Sequence, residues 1–189
     1  MRTPPRWPAV MLALFVALAT VSILQGILDI VLPTLRGEPL FGFLYATTEA
    51  FGPWFFIAYI FVHNLGLACL VPGYGFLAAR FERSKTNRFI VGLLLAGAVV
   101  ASIVVAAHFV LTAPERFHLP TTMALLVGEA CAVLALALAA AWQLKGFVPT
   151  RRYVWSLVAP FRKLAVPFAY SVTVLLGLSL FEAWAVLSA

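Results

Sequence analysis

The sequence predicts an all-α fold: a polytopic transmembrane helical bundle of about five spans forming a single domain, with the second span kinked or broken at Pro72. Composition is the first reason. Of 189 residues, 63% are hydrophobic and 11% are charged, whereas soluble domains carry about 25% charged residues. The second reason is length: five apolar runs, at 8–32, 53–79, 88–112, 119–144 and 164–186, occupy most of the chain. Each exceeds the roughly 20 residues that cross a hydrocarbon layer about 30 Å thick. The third is periodicity. None of the runs alternates with period two, and lipid tolerates no open sheet edge, so helix is the remaining conformation. A soluble globular domain is excluded.

The first run follows Arg2 and Arg6. Its apolar core of about 24 residues is too long for a signal-peptide h-region, and no A-x-A cleavage site follows, so it reads as a span. Pro39 to Gly52 places Phe41, Phe43, Leu44, Tyr45 and Phe51 around Glu49, the pattern of a short helix lying in the membrane interface. In the second run Pro72 cannot donate to the carbonyl of Ala68, and Gly73 and Gly75 weaken the helix further. The third run carries Gly92, Ala96, Gly97 and Ala101 and ends near Pro114. The fourth carries Ala124, Gly128, Ala132, Ala135 and Ala139, a small-residue stripe of the kind that lets helix backbones approach. Glu129 stands one residue round from that stripe, so its carboxylate should point toward protein. Between the last two runs, 150–163 interleaves Arg151, Arg152, Arg162 and Lys163 with Tyr153, Trp155, Leu157 and Phe161. That mixture suits an interfacial segment on anionic lipid, with an ordinary basic loop as the alternative.

Lys and Arg outnumber Asp and Glu by 13 to 7. In so apolar a chain the excess concerns orientation and lipid headgroups, and no nucleic-acid partner is expected. Counting on alternate sides of five spans places Arg2, Arg6, Arg80, Arg83, Lys85, Arg88, Lys145, Arg151, Arg152, Arg162 and Lys163 together. Only Arg36 and Arg116 fall opposite. The positive-inside rule then predicts a multi-pass plasma-membrane protein with a cytoplasmic N-terminus and an external C-terminus.

Ionisable side chains inside spans cost on the order of 2.5–3.5 kcal/mol at the bilayer centre, so each needs a reason. His63 and Glu129 each lie ten residues into their runs, about 15 Å deep at 1.5 Å per residue. Equal depth predicts a His63–Glu129 pair, with Asn64 adding two donors and an acceptor. Gln25, Asp29, His108 and Glu182 fall within the last two turns or so of the outward-running spans, which gathers the buried polarity in the external half. The six ionisable or amide residues His63, Asn64, Glu129, His108, Glu182 and Asp29 form the expected intramembrane network. It either fixes helix faces or carries protons or ions. His63 and His108 differ by about 9 Å in depth, and no HxxxH spacing occurs, so no metal or other cofactor is expected. Cys69 and Cys131 lack CxxC spacing, no GxSxG is present, and no catalytic residue is expected.

Three segments carry a family resemblance. Phe61-Val62-His63-Asn64-Leu65, the Leu119 to Glu129 stretch beginning Leu-Pro-Thr-Thr, and Leu176 to Trp184 with its closing Phe-Glu-Ala-Trp resemble motifs of the stage II sporulation protein M (SpoIIM-like) family of integral membrane proteins. The resemblance implies a membrane protein that works in a complex, with His63, Asn64, Glu129 and Glu182 as central positions. The leading expectation is therefore a non-enzymatic oligomeric scaffold or subunit of a membrane complex, with lipids and either itself or other membrane proteins as partners. The alternative is a permease or channel subunit with a polar path through His63 and Glu129.

Overall fold

The computed structural model describes residues 6–81, 89–90, 92–94, 96–97, 99–100, 103, 119–145 and 157–187. Among these the chain is helical, and no strand is present. Helix α1 runs over Trp7–Gly26, widens into a π-helical turn at Ile27–Val31 and continues as Leu32–Arg36. Helix α2 is the short Gly42–Phe51. Helix α3 comprises Pro53–Leu70, a second π-helical turn at Val71–Gly75, and Phe76–Phe81. Helix α4 is Leu119–Lys145 and α5 is Val158–Leu187. Four of these helices, α1, α3, α4 and α5, are long and apolar enough to cross a membrane, and the chain is an integral membrane protein. The third expected span, 88–112, lies mostly outside the described residues; those described within it are helical.

Side-chain pairs give the helix directions. Gln25, Ser22 and Thr20 of α1 meet Tyr59, His63 and Tyr74 of α3 in that order, so the two run antiparallel. On α4 and α5, Gly128 meets Leu178 and Ala132 meets Ser171, again antiparallel. Phe76 of α3 meets Phe161 near the start of α5, whereas Phe56 and Ile60 cluster with Ala183 near its end, so α3 and α5 are antiparallel and α1 and α5 run the same way. It follows that α3 and α4 are parallel to each other.

Glycine sets the closest of these approaches. A Cβ at Gly73 would stand 3.0 Å from the Phe15 carbonyl carbon and 3.1 Å from the Val16 nitrogen. A Cβ at Gly66 would overlap the Leu18 carbonyl oxygen and the Ser22 Cβ. Two helix backbones therefore touch directly, the contact that small residues permit in membranes. The kink expected at Pro72 takes the form of the π-helical turn: the lost Ala68 bond is absorbed by widening one turn, and the helix resumes at Phe76.

The main core lies between Phe15, Phe76, Phe161 and Phe168. Phe15 and Phe76 each meet Phe161 edge-on, with centroids 5.8 and 5.4 Å apart. Phe161 and Leu164 are buried there, which draws the start of α5 back to Val158, six residues before the apolar run begins. Residues 158–163 are thus the first turns of α5, not a separate loop segment. Pro160 fits because the first turn has no intrahelical use for its N–H. At the opposite end a smaller cluster joins Phe41, Leu44, Phe56, Ile60 and Ala183. Trp54 and Trp184 are exposed at that end, and Trp142 is exposed at the other with Lys145 5.6 Å from its ring. Rings at both ends of an apolar bundle match the aromatic belts of membrane interfaces.

Candidate functional site

The site begins with a proline. Pro33 has no N–H to give the carbonyl of Asp29, four residues earlier, and that carbonyl instead accepts the N–H of Phe41 at 2.9 Å. Gly37 ends α1 in the left-handed conformation, φ 66°, with the Glu38 N–H closing onto Pro33 at 2.9 Å, a Schellman-type stop. The chain reverses and presents the start of α2 to α1. There the Asp29 carboxylate accepts the N–H of Leu44 at 3.2 Å, satisfying one of the donors a helix start leaves open. Its other oxygen accepts the Tyr59 hydroxyl. Asp29 therefore ties α1, α2 and α3 together.

One turn toward the middle of the bundle, Gln25 donates its amide N–H to the Tyr59 carbonyl at 3.2 Å. Because that partner only accepts, the Gln25 Oε1 must face the other way, and it has no hydrogen-bond partner. Next, Ser22 Oγ and His63 Nδ1 stand 3.5 Å apart, while His63 Nε2 is buried and unpartnered. Asn64 donates to Glu129 Oε1 at 2.8 Å, a buried bond between α3 and α4. Glu182 of α5 is buried on the same cleft, and its Oε2 also lacks a partner. Ser179 is buried with its hydroxyl unpaired.

These groups surround a small cleft. Gln25, Asp29, Tyr59, His63, Asn64 and Glu182 line it beside the apolar Ile30, Phe41, Leu44 and Ile60. No Lys or Arg among the described residues does so. Nor does any group of three His, Cys, Asp or Glu among the described residues converge as a metal-ligand set.

The partner expected for Glu129 is corrected: it is Asn64, and His63 turns to Ser22 of α1 instead. Consecutive residues on a helix point about 100° apart, and here His63 faces α1 while Asn64 faces α4. Asp29, His63, Asn64 and Glu182 share the cleft, with Glu129 bonded behind Asn64. His108, Arg151 and Arg152 lie outside the described residues; Arg162 and Lys163 are exposed on the first turns of α5. Gly128 and Ala132 stand against α5, whereas Gly97 has nothing within 4 Å of where a Cβ would be. Gly73 meets α1 directly, and Pro72 and Gly75 are buried in the π-helical turn.

Sequence reasoning passed over Ser22 and Tyr59. Their signal was spacing: Ser22, Gln25 and Asp29 recur at intervals of three and four, and Tyr59 and His63 stand four apart, which marks one polar stripe on each of two helices. Compared with known protein families, curated proteins and solved structures, the chain finds no match, and its own chemistry is what the site offers.

Proposed function

We propose that this chain is a non-enzymatic permease or channel subunit that admits a small polar solute to the cleft between α1, α3 and α5. One observation carries the reading: Gln25 Oε1, His63 Nε2 and Glu182 Oε2 are buried without partners on residues that line a single cleft. A polar network that served only to align helices would pair its members, because each unpaired buried group costs about 1–3 kcal/mol. Intramembrane ionisable groups beside a cavity are the usual mark of a solute or ion route, and the π-helical turn of α1 contributes Asp29 and Ile30 to the walls of this one. The basic tail and loops, by the positive-inside rule, face the cytoplasm in this reading.

The test is flux into proteoliposomes of the purified full chain under an imposed potential, read for protons with a pH-sensitive dye inside the vesicles and for solute as uptake of radiolabelled methylammonium and glycerol. Wild type should exceed protein-free vesicles, and Glu129→Gln should abolish the excess while the protein still elutes as one species. Wild-type flux equal to that of protein-free vesicles refutes the reading.

A second reading, the oligomeric scaffold of SpoIIM-like type, draws on a different observation. Only 22% of the apolar windows of α1 and α5 are buried within the chain. Those faces are free for a second copy or another membrane protein. The particle mass in mild detergent tests it: a mass of one chain plus micelle counts against an oligomer.

A further inference from the structure

We infer that the ligand of this cleft is a small organic ammonium, an apolar body carrying an N–H-donating cationic head. The inference rests on the solute-binding reading above and adds the chemical class. It starts from what the walls lack. Gln25 is 8% exposed and Glu182 5% exposed, and each leaves an oxygen without a partner beside the cleft. The Gln25 oxygen is fixed as the inward group, because its amide nitrogen is held by the Tyr59 carbonyl. A carbonyl oxygen and a carboxylate oxygen call for a donor.

Charge selects the donor further. Asp29 and Glu182 line the cleft, Glu129 stands behind Asn64, and no described Lys or Arg side chain answers them. A cation is the complement that would let these buried acids ionise. The remaining walls select against a bare inorganic ion. Ile30, Phe41, Leu44, Tyr59 and Ile60 offer methyl groups and rings, whereas an inorganic ion stripped of water needs a shell of oxygens, and the described acidic and histidine residues do not converge as one. Aromatic and aliphatic walls with a few acceptors suit an alkylammonium: its nitrogen meets the oxygens, and its carbons and spread charge meet the rings. This chemistry has two sources in a membrane, a soluble amine or the headgroup of an ethanolamine phospholipid.

The full chain in dodecyl maltoside is titrated with n-butylammonium chloride while thermal unfolding is followed by tryptophan fluorescence, with n-butanol and sodium butyrate as matched controls. n-Butylammonium should raise the melting temperature saturably, and neither control should. Gln25→Met should weaken apparent binding at least tenfold, and Glu182→Gln should do likewise. Should Glu182→Gln fail to fold, Gln25→Met alone decides. The same titration in nanodiscs separates the sources. Ethanolamine phospholipid blocking the butylammonium shift, where choline phospholipid does not, identifies the lipid; an equal shift in both identifies a soluble amine.

No saturable shift, a shift matched by butanol, or one that survives Gln25→Met overturns the inference. If flux persists and is lost in Glu129→Gln although n-butylammonium does not bind, the ligand class falls and the transport reading stands. If flux is absent as well, both fall.

Discussion

Gly66→Ala adds one methyl group where α1 and α3 touch. The new Cβ would overlap the Leu18 carbonyl oxygen and Ser22 Cβ and stand 3.2 Å from the Leu18 carbonyl carbon. None of these atoms is the loose end of a side chain, so the strain cannot be relieved by a rotamer change and the helices must part. A gap of 0.5–1 Å forfeits a quarter to a half of each dispersion contact across the interface, and such contacts are worth about 0.1–0.2 kcal/mol per atom pair. Overpacking of well-fitted sites costs roughly 1–3 kcal/mol, and backbone against backbone belongs at the upper end. Alanine returns about 0.5–1 kcal/mol of helix propensity. The net expectation is a loss of about 2 kcal/mol, roughly a 30-fold fall in the folded-to-unfolded ratio. Gly177→Ala is the control, because nothing lies within 4 Å of its Cβ position; it should be neutral or slightly stabilising. Melting of both variants in dodecyl maltoside, read by tryptophan fluorescence, checks the pair. A Gly66→Ala protein that melts at or above wild type, or a Gly177→Ala protein that falls as far, would refute the claim that backbone contact at Gly66 sets the α1–α3 spacing.

Other substitutions probe the polar layer and the topology. Asn64→Leu strips Glu129 Oε1 of its donor and should lower stability by about 1–3 kcal/mol. Adding Glu129→Gln should recover part of that loss, and a melting temperature no higher in the double variant speaks against the pair. Tyr59→Phe removes the hydroxyl donated to Asp29; at about 1 kcal/mol, it should make the 37–41 turn cleave faster under limited proteolysis, with unchanged cleavage as the contrary result. In a cysteine-free background, an impermeant maleimide added to intact cells should label Arg36→Cys and leave Lys145→Cys unlabelled. The reverse pattern would invert the proposed orientation.

The spans were legible in the sequence because lipid leaves the backbone one economical solution over long apolar runs. For the same reason the π-helical turn at Pro72 had a readable cause in the missing N–H. Much of the site was legible as well. Depth at 1.5 Å per residue placed Gln25, Asp29 and Glu182 in one half of the bundle and His63 about 15 Å in, near its middle, and all four line one cleft. The trans-capping of α2 by Asp29 was not legible, because it needs the chain to reverse at Gly37 and bring Leu44 back against α1. The start of α5 was hidden by its basic, aromatic composition, and burial of Phe161 beside Phe15 and Phe76 settles it. Depth is a property of one helix and follows from counting residues. Rotation about the helix axis is a property of its neighbours. Gly66 and Gly73 let α1 lie against the backbone of α3, and that contact turns His63 to Ser22 and leaves Asn64 for Glu129.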